Sequence, residues 1–325
     1  MKAVQLPWSI KVEDLKISEI DIPKVKDDWV LVKIVAFWLN HSEAVFRQFE
    51  IDKPQFIKPR VPWIECVWIV ENGSNTDLEK WEKVIALMWG MGRSFNWSYE
   101  EYALLPHKNV FKVNTNLDWI HLAAIPETFY TARGSLFPCL KLKKWETILI
   151  RAWSSALWIA SIIIAKNLWC RVITTIRSEN KKEYLENIWV DKVIIDHWDF
   201  VNQLDEKVDK VLELVWAATV KESLKTLKVW WIVCVTWILW NVFTLDWFNP
   251  ISDIPNWCYI TGFHSNNPTQ EIIDDMMKFI DEHNIVPPIW KVYDFENVVE
   301  YSRDLENWTT WWKWIVIVDK SISQN

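Results

Sequence analysis

The chain has 325 residues, with 36 Lys and Arg against 43 Asp and Glu, a net charge of −7 and a charged fraction of 24%. That length suits two domains or one elaborated α/β fold, and the acidic balance argues against a nucleic-acid or anionic-membrane surface. Cys66, Cys139, Cys170, Cys234 and Cys258 stand far apart with no CxxC pair, so neither a disulfide framework nor a cysteine-rich zinc lobe is expected. The opening stretch MKAVQLPWSIKVEDL lacks an apolar signal core, and no apolar run reaches the roughly 18 residues of a membrane span. The expectation is a cytoplasmic protein.

One pair of counts is anomalous. The chain carries 27 Trp and 5 Gly, where ordinary glycine usage of about 7% would give roughly 23 in a chain this long. Asp28-Trp29, Asn96-Trp97, Asp246-Trp247, Asn256-Trp257 and Asn307-Trp308 stand where Asp-Gly or Asn-Gly turns are expected. Trp169, Trp189 and Trp198 follow helix-like or strand-like segments, where glycine commonly takes positive φ. A tryptophan-rich core would instead repeat with a period of 3.6 or 2. We therefore read the chain as having a glycine-bearing parent in which most glycines stand as tryptophan. Trp119, inside LDWIHLAA, is the one read as native.

To about residue 115 the pattern is β-rich, with strands expected at 30–35, 67–70 and 83–87 and prolines at 54, 59, 62 and 106 between such segments. From about 120 the rhythm changes. Short apolar strands at 147–150, 171–175, 193–195, 211–214 and 232–235 alternate with helical stretches, among them an apolar helix over 154–168 and a charged one over 178–188. That alternation implies a parallel, doubly wound sheet. An amphipathic helix over 269–283 and a strand over 313–318 close the chain. The expected class is α/β: a β-rich domain (1–119), a dinucleotide-binding domain (120–264), and a return to the first domain (265–325).

The strand-to-helix turn reads ILIRAWSSALWIAS over 148–161. A dinucleotide site needs glycines here, so that backbone N–H groups approach the pyrophosphate and the helix packs closely on the sheet. Trp153 and Trp158 occupy those places around Ser154, Ser155, Ala156 and Leu157, and the turn reads as a damaged phosphate loop. After the second strand come Thr174, Thr175, Ile176, Arg177 and Ser178, then Lys181, with Glu179 the first acid. Cations and hydroxyls in place of an acid favour the 2′-phosphate of NADPH over the ribose hydroxyl of NADH. A solvated basic helix start is the alternative.

These features resemble the medium-chain dehydrogenase/reductase superfamily, in its zinc-independent quinone oxidoreductase-like branch. The resemblance spans nearly the whole chain. It is carried by Phe37-Trp38-Leu39-Asn40-His41-Ser42-Glu43, by Val61 to Trp68 (VPWIECVW), by Trp97 to Tyr102 (WSYEEY), by Ala123 to Ala132 (AAIPETFYTA), by the phosphate turn, and by Trp230-Trp231-Ile232-Val233. The mismatches fall repeatedly on family glycines that stand here as tryptophan. The resemblance implies a GroES-like catalytic domain plus a Rossmann domain, with the cofactor in the cleft between them. It places Asn40 near nicotinamide and substrate with Thr131 close by, Thr236, Ile260, Gly262 and Phe263 beside the nicotinamide, and His197 near the adenosine phosphate. Glu127 and His264 are read as structural.

Zinc-dependent relatives carry a Cys, a GHE-type His and a later Cys or Asp. Here the GHE-like place is Trp63-Ile64-Glu65, no Cys lies near Leu39-Asn40, and His41 stands alone, so no metal is expected. The implied activity is NADPH-dependent hydride transfer to a quinone or α,β-unsaturated carbonyl compound, a small-molecule substrate, in a chain compatible with a homodimer. Two alternatives stand beside it: a non-catalytic chain whose turn tryptophans bar the dinucleotide, and an alcohol dehydrogenase of the same superfamily.

Overall fold

The computed structural model describes residues 1–62, 65–87, 95–96, 98–152, 155–188, 190–215, 219–236, 244–307 and 313–323. The chain forms two units, Met1–Glu127 with Asn266–Asn325, and Thr128–Ser265.

In the first unit, Trp29–Trp38 is the hub of a seven-stranded sheet. It pairs antiparallel with Glu65–Asn72, with Tyr102–Pro106 and with the late strand Lys313–Ile317, so the chain's final strand lies beside one of its first. Lys83–Leu87 and Val110–Lys112 extend one side, and Ile289–Asp294 runs parallel to Lys313–Ile317 on the other. The hub is almost wholly buried and correspondingly rich in Val, Ile, Phe and Leu, as a central strand covered on both faces must be. The helix Gln270–Glu282 begins where the Thr269 hydroxyl accepts the Ile272 N–H, and it buries only Ile273, Met276, Met277 and Ile280, the stripe that a period of 3.6 dictates.

The second unit is a six-stranded parallel sheet. Its strands, numbered in chain order, are β1 Thr147–Arg151, β2 Arg171–Ile176, β3 Lys192–Ile195, β4 Val208–Glu213, β5 Leu227–Val235 and β6 Tyr259–Gly262. Their spatial order is β3-β2-β1-β4-β5-β6, the doubly wound order in which ligands bind outside the carboxyl ends of the strands. Both β1 and β4 are buried throughout, as strands covered by helices on two faces are. The helix Ala156–Asn167 (α1) follows β1 and is capped by Ser155, whose hydroxyl accepts the Trp158 N–H at 3.1 Å. The sheet and its partner unit form the GroES-like and Rossmann pair of folds. The charged helix expected over 178–188 is shorter, a 3-10 turn Glu179–Lys181 running into Lys182–Asn187, while β5 starts five residues before the apolar run that announced it.

Among the described residues two kinds of tryptophan stand out, with Trp8, Trp29, Trp231 and Trp290 in neither. Trp81, Trp145, Trp169, Trp198, Trp230, Trp247 and Trp257 have φ between 55° and 78°, the left-handed region, and each is 50–95% exposed. Trp169 shows why. It follows the C-cap Leu168 of α1, with the Cys170 N–H reaching back to the Ala165 carbonyl at 3.1 Å, the helix-ending motif whose left-handed position belongs to glycine. Trp145 is likewise the third residue of a turn closed by the Glu146 N–H on the Lys143 carbonyl at 3.3 Å. The reading corrects at Asp28-Trp29, because the left-handed residue there is Asp28, at φ 60°, and Trp29 already opens the strand. Trp97, Trp189 and Trp308 lie outside the described residues. The second kind is buried: Trp38, Trp68, Trp119, Trp158 and Trp314. Trp119 starts the helix Trp119–Ala123 in ordinary conformation.

Glu100 has an unusual burial for an acid. Only 1% of it is exposed, and neither carboxyl oxygen has a hydrogen-bond partner among the described residues. Burial alone holds its carboxyl well above the ordinary 4.5. The sign follows directly: a raised native pKa gives stability that is complete below the ordinary value and lost as pH rises through the raised one. Glu100→Gln should therefore unfold at higher denaturant than the parent near pH 8, by about 1–3 kcal/mol, and converge with it near pH 4. Parallel pH profiles for the two proteins would refute this.

Candidate dinucleotide site and the Asn40 cluster

Every parallel strand of the second unit points its carboxyl end to one edge, and the expected cofactor residues gather there. Ser155 follows β1, Thr175 is the penultimate residue of β2, and Arg177 and Ser178 come just after it. His197 follows β3, Thr236 follows β5, and Gly262 ends β6 with Phe263 just after it. Arg177, Ser178 and His197 are exposed, whereas Thr175 is fully buried with its hydroxyl donating to the Ala152 carbonyl at 3.3 Å. Thr175 thus ties the end of β2 to the end of β1, and its hydroxyl is turned inward. Ser178 Oγ donates to Asn180 at 2.6 Å. Trp153 and Ser154 lie outside the described residues, as does the side chain of Lys181.

Ala156 and Leu157 form the first turn of α1. Trp158 does not stand in the phosphate turn, as the sequence suggested. It is helical and 1% exposed, and its indole N–H donates to Thr174 Oγ1 of β2 at 2.5 Å. The family glycine at this place serves close helix–sheet packing, and the indole takes up that interlayer space instead.

Thr131 lies in the helix Pro126–Gly134 and is 8% exposed. Its carbonyl accepts the Ser135 hydroxyl at 2.7 Å, and Ser135 Oγ is in turn 2.7 Å from Thr236 Oγ1. Ser135 was missed by the sequence reading; a lone serine near a helix end carries no pattern. Phe263 packs its ring over Gly134 so closely that a Cβ there would meet it at 2.1 Å, which accounts for one of the few glycines that this chain keeps. Tyr130 stands edge-on to the same ring at 5.8 Å.

Arg151 was also missed, because it reads as the polar end of an apolar strand. It is fully buried. Its guanidinium holds Asp196 at 3.0 Å, Glu222 at 2.9 Å and the Thr219 carbonyl at 2.9 Å, lies 3.7 Å from Glu213 and stacks 4.0 Å over Phe200. One cation thereby joins the ends of β1 and β4 to Asp196 beyond β3. Burial pushes the Glu213 carboxyl up, and Arg151 and the Ser223 hydroxyl pull it partly back.

In the first unit, Asn40 precedes the short helix His41–Val45, and its Nδ2 donates to Glu65 at 3.2 Å. The other Glu65 oxygen accepts the Glu127 backbone N–H at 2.7 Å. Glu65 is fully buried; burial raises its carboxyl, while the Lys313 ammonium and these hydrogen bonds oppose the rise. Lys313 is itself pushed well below its ordinary value by burial, against the pull of Glu65, Glu127 and Glu43. Its ammonium also sits 2.7 Å over the Trp38 ring. Glu65 is the acid of the GHE-like place, and here it orients an amide. Among the described residues, no group of three His, Cys, Asp or Glu could hold a metal ion, and no helix is long and apolar enough to cross a membrane.

This two-unit fold is shared with known proteins over almost the full chain. The solved structure of 2-haloacrylate reductase aligns with a TM-score of 0.86 over 98% of this chain and 100% of that one, at 18% identity. In sequence, the chain is 31% identical over 179 residues to lovastatin diketide synthase lovF of Aspergillus terreus, covering 53% of this chain and 6% of that protein. It is 27% identical over 191 residues to a quinone oxidoreductase of Pongo abelii, covering 58% of this chain and 56% of that one. In fold and in sequence the chain is similar to medium-chain dehydrogenase/reductases of the quinone oxidoreductase-like branch. The match spans only a small part of the synthase and about half of the quinone oxidoreductase. No family model matches.

Proposed function

We propose that this chain is a medium-chain dehydrogenase/reductase that binds NADPH at the carboxyl edge of its parallel sheet and reduces a quinone or an α,β-unsaturated carbonyl compound without zinc. The observation that carries the reading is the convergence of Ser155, Arg177, Ser178, His197, Thr236, Gly262 and Phe263 on that one edge. Arg177 and Ser178, exposed at the end of β2 with no acid between them and the strand, suit a 2′-phosphate. Two similar proteins are by name a quinone oxidoreductase and a 2-haloacrylate reductase.

When bound, the nicotinamide supplies the hydride chemistry. The chain's own residues would hold and orient. Arg177, Ser178 and Lys181 would take the 2′-phosphate, and the first turn of α1, from Ser155 on, would present its N–H groups to the pyrophosphate. Asn40, held by Glu65 through one amide hydrogen, keeps a second to offer to oxygen charge developing on a substrate. Thr131 and Thr236, joined through Ser135, fix the hydroxyl pair beside Gly262 and Phe263. The Glu65 carboxylate is already taken up by Asn40 and Glu127, which supports chemistry without a metal at that place.

A second reading has its own support. With tryptophan at positions 153 and 158, where a dinucleotide fingerprint calls for glycine, the chain as written is expected to bind neither dinucleotide. Restoring glycine at Trp153, Trp158 and the left-handed turn positions should give a protein that binds NADPH in preference to NADH. In that background Arg177→Ala with Lys181→Ala should weaken NADPH far more than NADH, by about 1.5–3 kcal/mol for each contact to a charged group. Calorimetric titration decides both points. Tight NADPH binding by the unaltered chain would refute the second reading, and equal losses for the two cofactors would refute the NADPH preference.

A further inference from the structure

None of the five cysteines lies in a disulfide, and three of them are isolated from one another. Cys66 Sγ is bonded to Ser98 at 2.6 Å, Cys170 to the Lys143 carbonyl at 3.3 Å, and Cys258 to the Lys228 carbonyl at 3.4 Å. The other two lie on elements packed together. Cys234 lies in β5 opposite Thr261 of β6, one step before Val235 opposite Gly262. Cys139 ends the helical turn Ser135–Cys139, which packs across both strands. Cys139 Sγ is 3.6 Å from the Gly262 carbonyl, and Cys234 Sγ is 3.4 Å from Thr236 Oγ1.

We propose that Cys139 and Cys234 form a redox modification site, a dithiol that a hydroperoxide converts reversibly into an intramolecular disulfide beside Thr236 and Gly262. The turn that carries Cys139 is held to the end of the Cys234 strand by the Ser135–Thr236 hydroxyl pair at 2.7 Å, and burial raises the Cys234 thiol to about 12. Cys139 is the partly exposed member and Cys234 the buried one, so Cys139 reacts first. As thiolate it attacks the terminal peroxide oxygen; the O–O bond breaks and the departing hydroxide or alkoxide is protonated to water or an alcohol, leaving a sulfenic acid. The Cys234 sulfur then attacks the Cys139 sulfur. The S–S bond forms, the S–O bond breaks, and the released hydroxide takes the Cys234 proton to give water. The two thiols together give up two electrons to the peroxide bond.

The disulfide would pin Ser135–Cys139 to β5, alongside the Ser135–Thr236 hydroxyl pair and the Gly262 carbonyl. Any effect on the cofactor rests on the dinucleotide reading; the modification itself does not.

The test treats the whole chain with hydrogen peroxide, then counts thiols in denaturant and maps linked peptides by mass spectrometry. The thiol count should fall from five by two, with Cys139 and Cys234 peptides joined, and dithiothreitol should restore it. Cys139→Ser and Cys234→Ser should each abolish the link. In the glycine-restored chain, oxidation should lower NADPH affinity at least about tenfold, as a perturbation of the order of 1.4 kcal/mol would. An unchanged thiol count, a link to any other cysteine, or over-oxidation of Cys139 without a link would overturn the site. An intact link with unchanged NADPH affinity would leave the site standing and overturn only the reading that places the nicotinamide beside it.

Discussion

A chain carrying glycine at Trp81, Trp145, Trp169, Trp198, Trp230, Trp247 and Trp257 should unfold at a far higher denaturant concentration than the chain as written. Each of these residues holds a left-handed φ, a conformation that costs a side-chain-bearing residue roughly 1–2 kcal/mol and glycine almost nothing. Seven such positions together approach the whole stability of a typical domain, about 5–15 kcal/mol. The indoles recover little of this by burial. All seven stay at least half exposed, and the pairs Trp145–Trp169 and Trp230–Trp257 bring rings together at 5.9 and 5.0 Å on the surface. Such exposed apolar pairs also favour association between molecules. Chemical denaturation of the two proteins decides the matter, with Trp119→Gly as the contrast. Trp119 is buried in ordinary conformation, so glycine there should destabilise by about 3–5 kcal/mol. Equal midpoints for the sevenfold variant and its parent, or a gain from Trp119→Gly, would overturn the argument. The intact mass of the natural polypeptide reads the underlying question directly, since each tryptophan in place of glycine adds a fixed increment.

Arg151→Met should lose about 3–5 kcal/mol of stability, because it leaves Asp196 and Glu213 buried without their cation. The direction with pH is part of the expectation. Without Arg151, Glu213 loses the cation that pulls its carboxyl down while burial still pushes it up, so its native pKa stands further above the unfolded one. Stability is then retained at acid pH and lost as pH rises, and the deficit should be larger near pH 8 than near pH 5. Adding Asp196→Asn and Glu213→Gln should return part of the loss, since neutral amides of the same shape need no counter-charge. A deficit below about 1 kcal/mol, or one that grows toward acid pH, would show that the network contributes nothing to holding the sheet's carboxyl edge.

The sequence by itself determined the alternation of strand and helix, and with it the parallel sheet. Apolar runs at 147–150 and 171–175 belong to strands that are almost wholly buried. It also determined the left-handed tryptophans at Trp169, Trp198, Trp247 and Trp257, because Asn and Asp before a turn and the end of a helix are local signals of positive φ. The turns at Trp81 and Trp145 carry no such flanking residue, and only the backbone revealed them. Tertiary structure alone decided the partners of isolated polar residues. Arg151 meets Asp196, Glu213 and Glu222, Asn40 meets Glu65, and Ser135 meets Thr236. Each joins positions from 25 to more than 90 residues apart, and the period of a helix or strand holds no information about such distances. It also moved Trp158 out of the phosphate turn and into the layer between α1 and β2. A helical residue three places past its cap points where the helix axis directs it, and that axis is set by packing on the sheet.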